Sequence, residues 1–370
     1  MKAASQLPKI DQPMLIEVVQ GVLGRGVDEV FDWHIAPLSG GWEAATSIYL
    51  VTGSARQRDT TVDWRLVLKI VRSLADRMDR THWNYWEREP LAYQSGVLND
   101  LPAGIAAPRC YGVVNRLDDS IWIWLEALTD TTEASWTLRD FGFAAYQLGR
   151  FNGTYLTSKP LPTGPWVSRG WLRNYVAAYA PVIEMLPGLQ SHPLVRRAVP
   201  PRFVDNLVRL NAKREILLDR LDQLPQCFCH LDAWRWNLFI TAAQSGQPQV
   251  AAIDWAFAGI GAIGQELAPL VFSNRNEAEM EAYALSHYLD GLSNVGWQGE
   301  EKTVRLGYAI TMVLEYGLAL IGFYVDALLD EPQHTFLEQG FGEPIDKLVD
   351  RYASWMEFSL PRLEELEAIL

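Results

Sequence analysis

Residues 13–23, PMLIEVVQGVL, carry apolar side chains at the three- and four-residue spacing of a helix face. The period then changes. FDWHIAPLSGGWEAATSIYLVTG (31–53) reads as a strand, a glycine turn and a second strand. WRLVLKIV (64–71) is β-rich and sets Lys69 among apolar neighbours. DWRLVLKI pairs with TSIYLVTG as an antiparallel hairpin, joined by the polar stretch SARQRDTTV. The spacing over 83–98 predicts a helix. Pro90 must lie near its start or kink it, since proline lacks the donor of a helix interior. APRCYGVVN and IWIWLEAL predict two more strands. Up to about residue 125 the chain predicts a small, mostly antiparallel sheet with one or two helices.

After Leu128 the character changes. Helical periodicity runs over 137–157, 170–187, 203–222, 264–291, 301–329 and 343–368, with strands at 238–241 and 250–253. The expectation is an α+β chain with an N-terminal lobe over 1–128 and a helical C-terminal lobe over 129–370. One stretch, GYAITMVLEYGLALIGFYV (307–325), is long enough to span a bilayer. Glu315 at its middle would cost about 2.5–3.5 kcal/mol in lipid. It therefore reads as a buried helix of a soluble domain.

Charge and cysteine content narrow the function classes. The formal net charge of −13 argues against nucleic acid, whose phosphates demand basic surface. MKAASQLPKIDQ has no apolar core, so no secretory leader is expected there. Three cysteines, Cys110, Cys227 and Cys229, fit a reduced, cytoplasmic protein. CFCH lacks a second ligand pair, so free thiols are expected rather than zinc.

The candidate chemistry lies in CHLDAWRWNLFI (229–240). It places His230, Asp232 and Asn237 in an apolar, aromatic run, where polar groups are costly unless paired or used. NLFIT and QVAAID flank the turn AAQSGQPQ. A hairpin centred on Ser245–Gly246 pairs Thr241 with Val250 and Asn237 with Asp254. Cross-strand partners stand about 4.5–5.5 Å apart. An amide oxygen beside a carboxylate suits Mg²⁺, and Asp232 enters the same space from the preceding loop. A loop Asp, an Asn five residues on and an Asp after the next strand match a kinase site. There the first orients and deprotonates a hydroxyl, and the other two hold metal against phosphates.

HLDAWRWN followed by AIDWAFAGIGAIGQELA resembles the aminoglycoside phosphotransferase and choline kinase-like family, which shares the protein-kinase fold. The resemblance implies Asp232 as catalytic base, Asn237 and Asp254 as Mg²⁺ ligands, and ATP or GTP as phosphoryl donor. Upstream, Lys69 looks like the lysine on the α- and β-phosphates. Glu89 looks like its helix partner, with Glu87 the competing candidate. Gly40 and Gly41 resemble the loop that covers the nucleotide, and Glu126–Leu128 the hinge that meets the base. The match runs in order over roughly residues 30–275. There are departures. Leu231 stands where the family more commonly has Gly, and Glu266 where it usually has Asp. Trp234 takes a position that is Lys in Ser/Thr protein kinases, and neighbouring Arg235 is assigned to the γ-phosphate instead. His230 is expected to brace the catalytic loop, and Glu266 to be structural.

The acceptor is a small molecule. Glu315, Ala319, Gly322 and Asp326 share one face of an ideal helix, which would offer two acids to an amine-bearing acceptor such as an aminoglycoside or amino alcohol. The competing reading pairs Glu315 with an internal arginine and leaves Asp326 exposed. No nucleic-acid or membrane partner is expected, and the sequence does not fix the oligomeric state. The alternatives are a catalytically silent kinase-like nucleotide-binding or scaffold protein, and a protein kinase. Intact Lys69, Asp232, Asn237 and Asp254 argue against the first; IDW in place of Asp-Phe-Gly argues against the second.

Overall fold

The structure, a computed structural model, describes residues 7–24, 26–38, 46–132, 135–243 and 245–367. It opens with helix α1 (Gln12–Leu23), whose first turn is fixed by the Asp11 carboxylate accepting from the Met14 N–H and by proline near the start. Strands β1 (Val27–Pro37), β2 (Thr46–Gln57) and β3 (Thr60–Arg72) come next, then α2 (Arg88–Gln94), β4 (Ile105–Ala106), β5 (Cys110–Asn115) and β6 (Ser120–Glu126). The main sheet is antiparallel, in the order β1-β2-β3-β6-β5. Its two faces differ, as period-two alternation requires. Leu66, Leu68, Ile70, Trp122 and Trp124 join α1 in one core, while Ile123 and Leu125 face the larger core of the helical part. Lys69 lies on this second face.

Two expectations about this part need correcting. The β2–β3 connection is not SARQRDTTV. Both strands continue through it, and only Arg58 and Asp59 turn, Arg58 with a left-handed φ of 54°. The helix expected over 83–98 shrinks to α2, which begins late enough to put Pro90 in its first turn, where no donor is missed.

The helical part begins with α3 (Leu138–Thr157), started by a reciprocal capping box between Thr137 and Asp140. Then come β7 (Ser168–Arg169), α4 (Trp171–Leu189), α5 (Pro193–Ala198), α6 (Pro201–Asp222), β8 (Gln226–Cys229), β9 (Leu238–Ala242), β10 (Pro248–Ala252) and β11 (Gly259–Ala262). The expected helix over 264–291 divides into α7 (Leu267–Ser273) and α8 (Met280–Asn294). The apolar helix Glu301–Leu329 is continuous. It consists of α9 (Glu301–Thr311), a π-helical stretch Met312–Ala319 and α10 (Leu320–Leu329). Its π-helical centre packs against α4, α6 and α7 and is buried. The chain closes with α11 (Glu331–Phe341), α12 (Ile345–Ser359) and α13 (Pro361–Glu367), of which α12 also packs on the π stretch. The sequence pattern did not show α5 or α11.

The hairpin register also differs from expectation, by one residue. Thr241 faces Gln249, and Ile240 faces Val250. The connection closes with Ala243 N–H donating to Gln247 O, which centres the turn on Ser245 rather than between Ser245 and Gly246. Asn237 therefore meets Ile253, whose N–H donates to its carbonyl at 2.9 Å. Asp254 lies one residue beyond the pairing.

Helices α3 and α8 cross closely enough to require glycine. A Cβ on Gly149 would fall 2.2 Å from the Tyr288 carbonyl oxygen, and one on Gly291 would fall 2.1 Å from that of Tyr146. At the same crossing, Tyr288 donates to Asn152 Oδ1 (2.7 Å), and Asn152 Nδ2 donates to Phe228 O in β8 (2.9 Å). The crossing thus fixes the strand that leads into the catalytic loop. Gly291→Ala should destabilise the fold by about 1–3 kcal/mol through overpacking. Urea unfolding of the variant beside wild type would measure this, and equal midpoints would contradict it.

Candidate active site

Strand β3 carries Lys69 into a buried ion triad. Its Nζ lies 2.5 Å from Glu89 Oε2 and 2.8 Å from Asp254 Oδ1. Burial alone would lower the lysine pKa, but Asp254 and Glu89 outweigh it and raise it. Burial pushes the Glu89 carboxyl upward against the pull of Lys69. Asp254 is only partly buried, its side chain 37% exposed; desolvation pushes its carboxyl up, but Lys69 outweighs that and holds it below the ordinary value. Glu89 also accepts the Trp255 N–H through Oε1 at 3.3 Å. Glu87 stands apart, accepting from the Tyr85 hydroxyl. Of the two glutamates considered for Lys69, the structure brings Glu89 to it.

The loop after β8 brings Asp232 and Asn237 together. Asn237 Nδ2 donates to Asp232 Oδ2 at 2.8 Å and to the Asp232 carbonyl at 3.0 Å. Burial, then the neighbouring carboxylates of Asp254 and Glu315, raise the Asp232 pKa well above its usual range. His230 braces the loop. Its Nδ1 accepts from the Asp232 N–H (3.2 Å), so Nε2 carries the proton donated to Ile253 O (2.8 Å). Burial lowers its pKa to about 4, so it is a neutral strut at physiological pH. Leu231 has a left-handed φ of 65°, and its N–H donates to Glu266 Oε1 at 2.7 Å.

Several expected site residues lie elsewhere. Arg235 donates to Leu238 O (3.0 Å) and Asp130 Oδ2 (3.3 Å), and its guanidinium lies over the Trp136 ring at 4.0 Å. It is held against the edge of β9, with no hydrogen bond or ion pair to Asp232 or Asp254 among the described residues, so the geometry gives its assignment to the γ-phosphate no support. The shared face for Glu315 and Asp326 is also lost. The π stretch is bonded i→i+5, with the Leu320 N–H donating to Glu315 O, and this rotates the residues beyond it relative to an α-helix. Glu315 is 6% exposed. Asp326 is exposed, and its nearest charge is Asp330. Gly40 and Gly41 lie outside the described residues. At the hinge, Glu126 is tied twice to Arg109: its N–H donates to Arg109 O (2.9 Å), and its carboxylate accepts from the Arg109 N–H (3.1 Å). Glu126 and Leu128 line a cleft of about 240 Å³ with Arg65 and Thr241. A larger cleft of about 490 Å³, at Tyr49, Ile70, Arg72 and Trp122, is on the sheet face opposite Lys69 and contains no member of the triad.

Aromatic residues lie near Asp232, with Tyr175 and Tyr316 within reach of its charge. Trp234 stacks on the half-exposed Trp236 (4.8 Å between centroids) and meets Tyr316 edge-on at 5.4 Å. Tyr175 of α4 lies within electrostatic reach of both Glu315 and Asp232. The sequence pattern missed Tyr175 and Tyr316, because aromatic residues on apolar helices look like core. Among the described residues, no group of three or more His, Cys, Asp or Glu forms a metal site on its own. The donor set at Asn237 and Asp254 still fits Mg²⁺. Asn237 spends its amide N–H on Asp232, leaving its oxygen, and Mg²⁺ is commonly held by one or two protein oxygens plus phosphates and water.

Residues 172–299 match the phosphotransferase enzyme family, APH. The aminoglycoside phosphotransferase of Alicyclobacillus acidocaldarius is similar over 100% of this chain and 99% of its own, at TM-score 0.56 and 13% identity. The GDP complex of aminoglycoside 2'-phosphotransferase-IIIa is similar over 90% and 98%, at TM-score 0.51 and 13% identity. A choline kinase from Cryptosporidium parvum is similar over 95% and 96%, at TM-score 0.51 and 13% identity. No curated protein matches the chain by sequence. The fold is the two-lobed, protein-kinase-like α+β fold, and the family match agrees with the resemblance seen in the motif.

Glu89→Ala should cost about 3 kcal/mol of stability, since it breaks a buried ion pair. Glu87→Ala, which loses one hydrogen bond, should cost no more than about 1.5 kcal/mol. Denaturant titrations of the two variants would compare them, and a reversed order would exclude Glu89 as the main partner of Lys69.

Proposed function

We propose, from the premise that residues 172–299 carry the sequence of the phosphotransferase enzyme family on the fold of the aminoglycoside phosphotransferases, that the chain is a small-molecule kinase. It transfers the γ-phosphate of ATP or GTP to a hydroxyl. The observation that carries this reading is the meeting of Lys69, Glu89, Asp232, Asn237 and Asp254, five residues from four separate segments, in one partly buried polar site. The N-terminal lobe, 1–128, is assigned to the nucleotide and the helical lobe, 129–370, to the acceptor. A cytoplasmic location is in keeping with free Cys110, Cys227 and Cys229.

In this reading Lys69 grips the α- and β-phosphates, and Glu126–Leu128 meet the base. Asn237 and Asp254 would hold Mg²⁺, which would supply charge neutralisation for the phosphates. Asp232 orients the acceptor hydroxyl and takes its proton as the oxygen bonds to the γ-phosphorus. The bond from that phosphorus to the β–γ bridging oxygen breaks, and the nucleoside diphosphate leaves. Asn237 holds the Asp232 carboxylate through the 2.8 Å bond, and burial keeps that carboxylate basic. Asp232→Asn should keep nucleotide affinity and lower turnover about 10²–10⁴-fold. Transfer of labelled γ-phosphate to a panel of hydroxyl compounds would measure it. Near wild-type turnover would remove Asp232 from the mechanism, and no transfer by the wild type to any acceptor would favour a silent nucleotide-binding protein.

The acceptor is proposed to carry an amine that meets Glu315. This carboxyl is buried and has no ion pair among the described residues, which favours the substrate reading over the internal arginine. The titratable groups around it are Tyr316, Glu266, Asp232 and Tyr175. Burial raises its pKa to about 8, so without acceptor it is protonated at neutral pH. A cationic acceptor favours the ionised form and must displace that proton. Affinity for a quaternary amine should therefore rise with pH, by up to about tenfold per unit below pH 8, and level off above it. Glu315→Gln should flatten the profile and leave nucleotide affinity unchanged. Calorimetry from pH 6 to 9 would test this, and a flat wild-type profile would exclude Glu315 as the amine contact.

A further inference from the structure

We infer that Arg88 is a positioning residue, which holds the metal-binding Asp254 in place through the backbone just beyond it; this inference rests on the kinase reading above. Arg88 is the first residue of α2, next to Glu89, and is fully buried at 0% exposure. Its guanidinium has no carboxylate partner among the described residues. Its two terminal nitrogens instead donate to three carbonyl oxygens, while the buried Nε makes no hydrogen bond. Nη1 donates to Trp83 O and Ala256 O, each at 2.9 Å, and Nη2 donates to His82 O at 2.9 Å. A buried cation without a counter-charge is costly, and burial pulls its pKa down to about 10. Fixing a helix start would not need a charge. The carbonyl at Ala256 gives it another use.

Asp254 has φ 62° and ψ 66°, a left-handed conformation uncommon for any residue but glycine. Such a residue keeps its shape only when its surroundings fix it. On the upstream side, Ile253 donates to Asn237 O and accepts from His230 Nε2. On the downstream side, two adjacent residues of α2 grip two adjacent residues of the loop. Glu89 Oε1 takes the Trp255 N–H, and Arg88 gives its N–H to Ala256 O. The carboxylate that pairs with Lys69 and the cation that holds the loop are thus neighbours on one helix. Displacing α2 would disturb the Lys69 contact and the Asp254 backbone together. The other carbonyls on Arg88 belong to His82 and Trp83, and the Trp83 ring packs on Phe257 at 5.7 Å, so the segment before α2 joins the same clamp.

The test uses Arg88→Met and Arg88→Lys in the full chain, with Mn²⁺ as a spectroscopic probe of the metal position in the ADP complex. Arg88→Lys keeps the charge but not the fork that reaches three carbonyls, and it carries the test should Arg88→Met fail to fold. We expect Mn²⁺ affinity in the ADP complex to fall at least tenfold, while metal-free ADP affinity changes less than about twofold because Lys69 keeps Glu89. Turnover should fall with the acceptor Michaelis constant unchanged. A lower melting temperature with unaltered Mn²⁺ affinity would overturn the inference and leave Arg88 a packing residue. Wild-type protein that binds no Mn²⁺ with ADP, or an Asp254→Ala variant that binds it normally, would instead overturn the kinase reading, and the inference with it.

Discussion

The contact between Lys69 and its two carboxylates is the constraint on which the site depends. It joins the sheet, through β3, to α2 and to the end of the β9–β10 hairpin, with nitrogen–oxygen distances of 2.5 and 2.8 Å. Glu89, whose side chain is 2% exposed, could not remain buried as an anion without the ammonium. The balance is still incomplete. One lysine stands against Glu89 and Asp254, and the half-buried Asp232 stands beside them, with its pKa driven up by desolvation and then by Asp254 and Glu315. A site with this surplus of closely placed carboxylates favours cations. The proposed Mg²⁺ and a cationic acceptor would each relieve part of it.

How much of this was legible in the sequence depends on range. The sheet strands followed from alternation, and Lys69 stood out because its neighbours are apolar. The hairpin was legible as a hairpin, but its register was not. A turn centred one half-residue away moved the partner of Asn237 from Asp254 to Ile253. Asp254 turns left-handed just past the strand, with its carboxylate on Lys69, a conformation that no residue pattern announces. Arg235 misled for a related reason. Its place beside Asp232 in sequence says nothing of side-chain direction, and an acidic partner and an aromatic face, Asp130 and Trp136, draw it away.

Glu315 shows the same limit on a helix. Ideal 3.6-residue spacing grouped it with Asp326. The π stretch from Met312 to Ala319 breaks that phase, leaving Glu315 inside and Asp326 outside. Half the expectation about an acidic groove thus fails for a geometric reason, while the other half gains an aromatic setting from Tyr316, Trp234 and Tyr175. π-Helical turns are rare and frequent at functional sites, and here one carries an acid whose charge acts on the proposed base.

The two departures from the family pattern noted in the sequence, Leu231 and Glu266, meet at one hydrogen bond. Leu231 adopts the left-handed conformation that a glycine takes at little cost, and a side chain there costs about 1–2 kcal/mol. The Glu266 carboxylate accepts the Leu231 N–H at 2.7 Å inside the core, and a hydrogen bond to a charged group contributes about 1.5–3 kcal/mol. The strain and the bond are thus of similar size. Burial raises the Glu266 pKa to about 7, so the bond is strongest when the carboxyl is ionised, at and above neutral pH. The peptide that sets the approach of Asp232 is therefore held by a carboxylate rather than freed by a glycine. Leu231 also adds an apolar side chain to the core beneath the loop, where it is 3% exposed. The catalytic loop is fixed from both sides: by His230 on the Ile253 carbonyl, and by Glu266 on the Leu231 amide.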